Sequence, residues 1–301
     1  MTSRNIFHQP IIKRRRFRYD RKTTPDRHWL GGDPVVTSFF NSLSVVFPLG
    51  EAFFIECVRP WQHRAGKKLG ADIAEFIRQE SAHGREHLAL NRGLVDGGYD
   101  MSALVAVVEN VVDTMRGKNA AARITYTMCV EHLTAVMSSA ILRDEALLAR
   151  AEPEMRRIWS WHAVEEIEHK GVCFDTWMLA TEDWSPLRRW LTRSITMALV
   201  TAGFVKNRFS GQINLLRQDG WSARRSLPAI IACAFGRRGL GRSAMKDWAA
   251  FFRPGFHPWQ TDDRYLIPMG ESAFADAATP TATPKRIVEP APHPLQDARA
   301  A

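Results

Sequence analysis

Two stretches of this 301-residue sequence repeat the spacing Glu-x-x-His, at Glu80–His83 and at Glu166–His169. Two more glutamates stand in apolar surroundings, Glu51 in Leu49-Gly50-Glu51-Ala52-Phe53-Phe54 and Glu131 in Cys129-Val130-Glu131-His132-Leu133. A carboxylate buried there without a partner would be costly. At about 100° per residue on a helix, Glu80, His83 and His87 share an arc of about 60°. His162, Glu166 and His169 do the same, and Glu165 widens that arc to about 100°. Glu86 and Glu168 fall at or beyond the edges and are expected to face solvent. Carboxylates bridge cations and offset their charge, while imidazole suits iron, zinc and copper. One Glu from each of two helices, with Glu-x-x-His from each of two others, is a donor set for two divalent cations.

The elements that must hold these groups are helices. Frequent helix-end signals and scarce period-2 alternation predict helices over 36–64, 70–95, 101–117, 119–149 and 153–180. Breaks are expected at Gly66 and Gly70, Gly97-Gly98, Gly117 and Glu152-Pro153, with Pro48 kinking the first helix. Asp100 and Asn119 are expected caps, and Pro153 suits a first helical position. A basic, apolar helix follows over 187–209. Its uncharged stretch Ser194–Val205 is shorter than the roughly 20 residues a bilayer needs, so it is expected either in the core or at an interface. The fold class is therefore all-α: a four-helix ligand bundle over 36–184 with C-terminal helices over 185–253. A flexible basic arm (1–30) precedes it, and a tail (254–301), disordered from about 275, follows.

The net charge of +9 first suggests a polyanionic partner. Its distribution argues otherwise. Residues 1–29 carry 9 bases and 2 acids, 30–184 carry 15 bases and 22 acids, 185–253 carry 13 bases and 2 acids, and 254–301 carry 4 bases and 6 acids. The region with the candidate ligands is acidic, and no helix-turn-helix, zinc-finger or RNA-recognition signature is present. A specific nucleic-acid partner is not expected. The basic flanks suit peripheral contact with an anionic membrane, and the substrate is expected to be a small molecule. Cys57, Cys129, Cys173 and Cys233 are far apart, with no C-x-x-C pair, which fits a reducing cytoplasm, including the inner face of the membrane.

The order Glu, Glu-x-x-His, Glu, Glu-x-x-His resembles the ferritin-like dimetal-carboxylate superfamily. More narrowly, Gln79-Glu80-x2-His83-x3-His87-x3-Asn91, then Glu131-His132, then His162-x2-Glu165-Glu166-x-Glu168-His169-Lys170 with Phe174-Asp175 resembles the bacterial family of predicted metal-dependent hydrolases, over roughly 30–250. His162-x3-Glu166-x2-His169 also resembles the last ligand helix of di-iron arylamine N-oxygenases. These resemblances imply Glu51, Glu80, His83, Glu131, Glu166 and His169 as six ligands and His162 as a seventh. They imply two divalent metal ions, iron first, with manganese or zinc as alternatives. His87, His132 and Asp175 are candidates for extra ligands or for groups that orient a ligand imidazole. The leading expectation is a di-iron oxidase or oxygenase acting on a small organic substrate, in a dry cavity built from Phe53, Phe54, Met128, Trp159 and Trp161. The alternative is a metal-dependent hydrolase with Glu165 as general base, and a third reading is a non-catalytic metal-binding protein.

Overall fold

The computed structural model describes residues 11–237 and 239–276. Among them the regular elements are helices: α1 (Pro34–Ser44), α2 (Phe47–Val58), α3 (Lys67–Asp96), α4 (Ser102–Arg116), α5 (Ala120–Arg143), α6 (Glu145–Ala149), α7 (Pro153–His169), α8 (Val172–Ala180), α9 (Pro186–Gln218), α10 (Ala223–Phe235), α11 (Leu240–Ala250) and α12 (Leu266–Asp276). The chain is all-α. Local chemistry sets the helix starts. Asp33 accepts from the Val35 and Val36 amides, Asn119 from Ala122 and Ser185 from Arg188, and Pro34, Pro153 and Pro186 stand at the first position.

The long first helix expected from the sequence is two helices. Pro48 has no N–H to give the Ser44 carbonyl four residues back. That carbonyl accepts from Asn91 Nδ2 at 3.0 Å instead, and the chain re-enters a helix at Phe47. The same happens at Gly171, between α7 and α8. A Cβ there would lie 2.5 Å from Trp259 Nε1, so the close approach of the Trp259 loop requires glycine. The expected helix over 119–149 also divides, at Asp144.

Four helices, α2, α3, α5 and α7, converge and carry the candidate ligands on their mutually facing sides. An aromatic core of Phe40, Phe47, Trp159 and Trp161 lies at one end of this bundle. A second core of Phe53, Phe76, Met128, Phe174 and Trp177 lies at the other. The long α9 covers α5 and α1. Its stretch Ser194–Val205 divides by face: Met197 is buried, while Ile195 and Leu199 are exposed.

The N-terminal segment differs from the solvated arm expected of it. Over residues 11–30 it lies against the bundle, with Phe17, Tyr19, Trp29 and Leu30 buried. Phe17 stacks on Trp161 with ring centroids 4.8 Å apart. The basic residues meet the acids of the middle region: Arg14 reaches Glu75 at 2.9 Å and Arg15 reaches Glu168 at 2.7 Å. Glu86 and Glu168, expected at solvent, are both buried because this strap covers them. The tail expected to be disordered lies beyond the described residues from 277 onward.

Candidate metal centre

Four helices bring their polar faces to one point. Glu51 comes from α2, Glu80 and His83 from α3, Glu131 from α5, and His162, Glu166 and His169 from α7; all are buried. Three sets of donor atoms each lie within 4.8 Å of one another: Glu51, His83 and His162; Glu80, His83 and Glu166; Glu131, Glu166 and His169. His83 and Glu166 belong to two sets each, which ties the three into one centre. Glu166 Oε1 is 3.4 Å from His162 Nε2, 3.5 Å from His169 Nε2 and 3.6 Å from His83 Nδ1. Glu80 Oε1 is 3.3 Å from His83 Nδ1 and 3.4 Å from His169 Nε2. The i, i+3 spacing does what the helical wheel predicted, turning carboxylate and imidazole of one helix to the same side.

Many of these donor atoms are buried with no hydrogen-bond partner: both oxygens of Glu51 and of Glu80, one each of Glu131 and Glu166, His83 Nδ1, both nitrogens of His162, and His169 Nε2. Buried polar atoms are almost always satisfied, so a converging set of orphans is the mark of a cation site. Electrostatics point the same way. Burial, and then the charge of Glu80, pushes the Glu51 carboxyl well above the usual carboxylate range. Burial, with Glu80 and Glu166 nearby, pushes Glu131 up to about 8. Against the burial that disfavours its charge, Glu166 is held well below the ordinary range by His169, His162 and His83. Burial opposes charge on His83 and His169 too, but their glutamate neighbours raise both well above an ordinary imidazole. The four carboxylates thus draw positive charge toward themselves, and two dications would balance their four charges.

A second layer orients the imidazoles. His169 Nδ1 is 3.0 Å from Gln79 Oε1, an acceptor, so Nδ1 carries the proton and Nε2 faces the centre as a bare donor atom. His83 Nε2 is 3.1 Å from Glu165 Oε2, which leaves Nδ1 toward Glu80 and Glu166. Glu165, expected as a general base, therefore stands behind His83. Arg15 Nη1 is 3.8 Å from its other oxygen. Arg15 also donates to both oxygens of Glu168, and Gln79 Nε2 donates to the Lys13 carbonyl at 3.0 Å. Gln79 stood in the sequence motif without a role, and Arg15 was not given a place near the site. The signal available was the acidic flank Glu165/Glu168, which a buried helix face needs a cation to offset.

The remaining candidates separate. His87 lies beside His162, with ring centroids 4.9 Å apart, but outside the three sets. Ser44 Oγ donates to Asn91 Oδ1 at 2.6 Å and so accepts from His87 Nδ1 at 2.9 Å, leaving His87 Nε2 an acceptor without a partner. His132 turns away and stacks near Phe251 and Phe256, where burial lowers its pKa to about 3. Asp175 does not orient a ligand imidazole. Its Oδ1 is 3.0 Å from His257 Nε2. The reason is positional: Asp175 follows the break at Gly171, so the α7 periodicity no longer applies to it.

An apolar cavity of about 990 Å³ opens beside the centre, between α2, α4, α5 and α9, and Glu51 is the acid in its lining. Phe53 and Phe54 line it as expected, whereas Met128, Trp159 and Trp161 are core residues away from it. No curated protein and no solved structure matches the chain. The model of one protein family matches residues 13–262, the span that holds every candidate ligand. The chain belongs to that family, the predicted metal-dependent hydrolases.

Proposed function

We propose that the protein is a dimetal hydrolase that cleaves a small, largely apolar ester or related acyl compound. One observation carries this reading: seven buried carboxylate and imidazole side chains from four helices turn partnerless donor atoms to one point at the edge of an apolar cavity. The family description supports the reaction class. When bound, two divalent cations supply Lewis acidity and lower the pKa of water. The chain's own residues hold and orient. Glu51, Glu80, Glu131 and Glu166 offer the charge, and His83, His162 and His169 the nitrogen donors. Gln79 and Glu165 fix the tautomers, and the phenylalanines of α2 exclude bulk water. Hydrolysis consumes one water, breaks the acyl carbon–oxygen bond, and leaves an acid and an alcohol. Glu51, as the acid facing the cavity, is the group beside the reacting carbon. The four ligand helices support placement in the ferritin-like superfamily.

Metal content with an activity panel tests the reading. Protein carrying two divalent ions per chain should hydrolyse aryl and alkyl esters, and Glu80→Ala or His169→Ala should lose metal and activity together. Full metal occupancy in both variants would sink the ligand assignment. A second reading, di-iron oxidation, is favoured by the four-carboxylate composition of the set and the largely apolar lining of the cavity beside it. Ferrous protein consuming O₂ no faster than free iron would remove it. A cytoplasmic location with peripheral contact to anionic membranes is part of the proposal. The exposed Leu187, Leu191, Ile195 and Leu199 of α9, beside Arg188 and Arg189, support it. Salt-sensitive co-sedimentation with anionic vesicles is the expected result, and none would count against it.

A further inference from the structure

We propose that the cavity beside the metal centre holds the extended alkyl part of its substrate, so that the substrate is a long-chain aliphatic compound whose reacting group lies at Glu51. The place of the reacting group rests on the metal-centre reading above, while the binding of the chain rests on the cavity alone. A volume of about 990 Å³ is at the upper end of ordinary ligand pockets, about 300–1,000 Å³. The space is long as well as large. Its lining residues on α5 run from Ala120 to Thr134, about 20 Å at 1.5 Å per residue. A space of that length accommodates an extended alkyl chain.

The walls are apolar along this length, with Phe53, Phe54, Val108, Val112, Val130 and Phe204 drawn from all four helices. Four charged side chains line the space. Lys118 and Arg188 are exposed at one end, and the guanidinium of Arg188 lies 4.0 Å over the Trp184 ring. Arg208 donates to the Ser42 carbonyl and is occupied. Among the described residues Glu51 and Arg208 are thus the buried charged groups of the lining, and with Arg208 turned to the Ser42 carbonyl, Glu51 is the place for a bound molecule's polar head. The lips between α4 and α9 are apolar too: Val107 is 41% exposed and Leu199 is 69% exposed although both line the cavity. An aliphatic molecule can enter there without crossing a polar rim.

Gly203, in the middle of α9, adds an independent sign. Glycine weakens a helix relative to alanine, yet a Cβ built at Gly203 meets no atom within 4 Å and Gly203 lines the cavity. The missing side chain leaves room for a ligand where nothing in the fold requires glycine.

The test uses the metal-loaded full chain and displacement of dansylaminoundecanoic acid by straight-chain alcohols of increasing length. Affinity should rise up to about fourfold per added methylene until the chain fills the cavity, then level off. Gly203→Phe should keep metal content and thermal stability and move the plateau to shorter chains. Val111→Trp, on the facing wall, should do the same and serves if the first variant fails to fold. Affinity that does not grow with chain length, or a plateau unmoved in the folded variants, would overturn the proposal. Chain binding without turnover of any ester leaves this inference standing and removes the hydrolase reading. Turnover of short and long esters with equal kcat/KM does the reverse.

Discussion

Replacing Glu165 separates two roles that the sequence left open. Its Oε2 lies 3.1 Å from His83 Nε2, on the far side of the ring from Glu80 and Glu166, and Arg15 closes over its other oxygen. In Glu165→Ala the buried Nε2–H of His83 loses its acceptor, which costs about 1–3 kcal/mol. Loss of such an orienting group typically lowers metal affinity about 10–100-fold, or about 1.4–2.7 kcal/mol. Glu165→Gln keeps a carbonyl oxygen that can accept the same hydrogen bond. Arg15 retains Glu168 and Glu271 as partners, so the loss should stay within about tenfold. A general base behaves differently, because its removal lowers turnover by about 10²–10⁴ and leaves metal affinity alone. The assay is a calorimetric metal titration of wild type, Ala and Gln variants, followed by ester turnover at saturating metal. The expected order of affinity is wild type, then Gln, then Ala, with turnover of the fully loaded variants within about tenfold of wild type. Unchanged affinity in both variants, with turnover down more than about a hundredfold in Gln, would refute the orienting role and restore the base.

Three further outcomes follow from burial and charge. Between pH 6.5 and about 8 the metal-free protein should lose thermal stability, because Glu131 has a folded pKa of about 8 and Glu51, His83 and His169 are also raised. Groups raised in the folded state stabilise it below their unfolded pKa, and that contribution fades as pH climbs through the folded value. His87 and His162, lowered by burial, are already neutral in this window. Bound metal displaces these protons and should flatten the slope; a metal-free melting temperature that rises with pH, measured by calorimetry, would contradict this. Glu131→Gln removes one repelling charge at equal volume, so its metal-free form should melt higher than wild type at pH 8 while metal adds less to it; a lower melting point at equal metal gain would reverse the sign. Phe17→Ala should cost about 3–5 kcal/mol in chemical denaturation, since Phe17 stacks on buried Trp161. A loss below about 0.5 kcal/mol, the scale of an ordinary surface substitution, would return the N-terminal segment to a solvated arm.

The convergence of Glu51, Glu80, His83, Glu131, His162, Glu166 and His169 was legible because it depends on helical periodicity, which survives small errors in helix ends. The helix ends were less legible. The break ahead of Pro48 depends on Asn91, 43 residues later, taking over the Ser44 carbonyl, and no local pattern encodes that. Asp175 was misjudged because a short loop at Gly171 resets the phase of the following helix. The surface assignment of Glu86 and Glu168 failed for a tertiary reason. Both look outward from the bundle, but Tyr19 and Arg15 of the N-terminal strap cover them. The Glu165 role turned on the direction of one ring nitrogen of His83, which sequence spacing does not carry.

The separation of charge along the chain becomes intelligible in space. The basic N-terminal segment neutralises the outer acids: Arg14 meets Glu75, Arg15 meets Glu168 and Glu271, and Arg21 approaches Glu86. Among the described residues no lysine or arginine forms an ion pair with Glu51, Glu80, Glu131 or Glu166; the ion pairs of the last three are to imidazoles alone. A chain with 41 basic residues has cations enough to pair every acid in the bundle. Leaving the innermost four without one keeps them available for a charge the polypeptide does not supply. The strap guards that arrangement from outside, since Arg15 stands at Glu165, the residue behind His83, and not at the candidate ligands themselves. Folding therefore completes the outer layer of charge and leaves the inner layer for metal ions to complete.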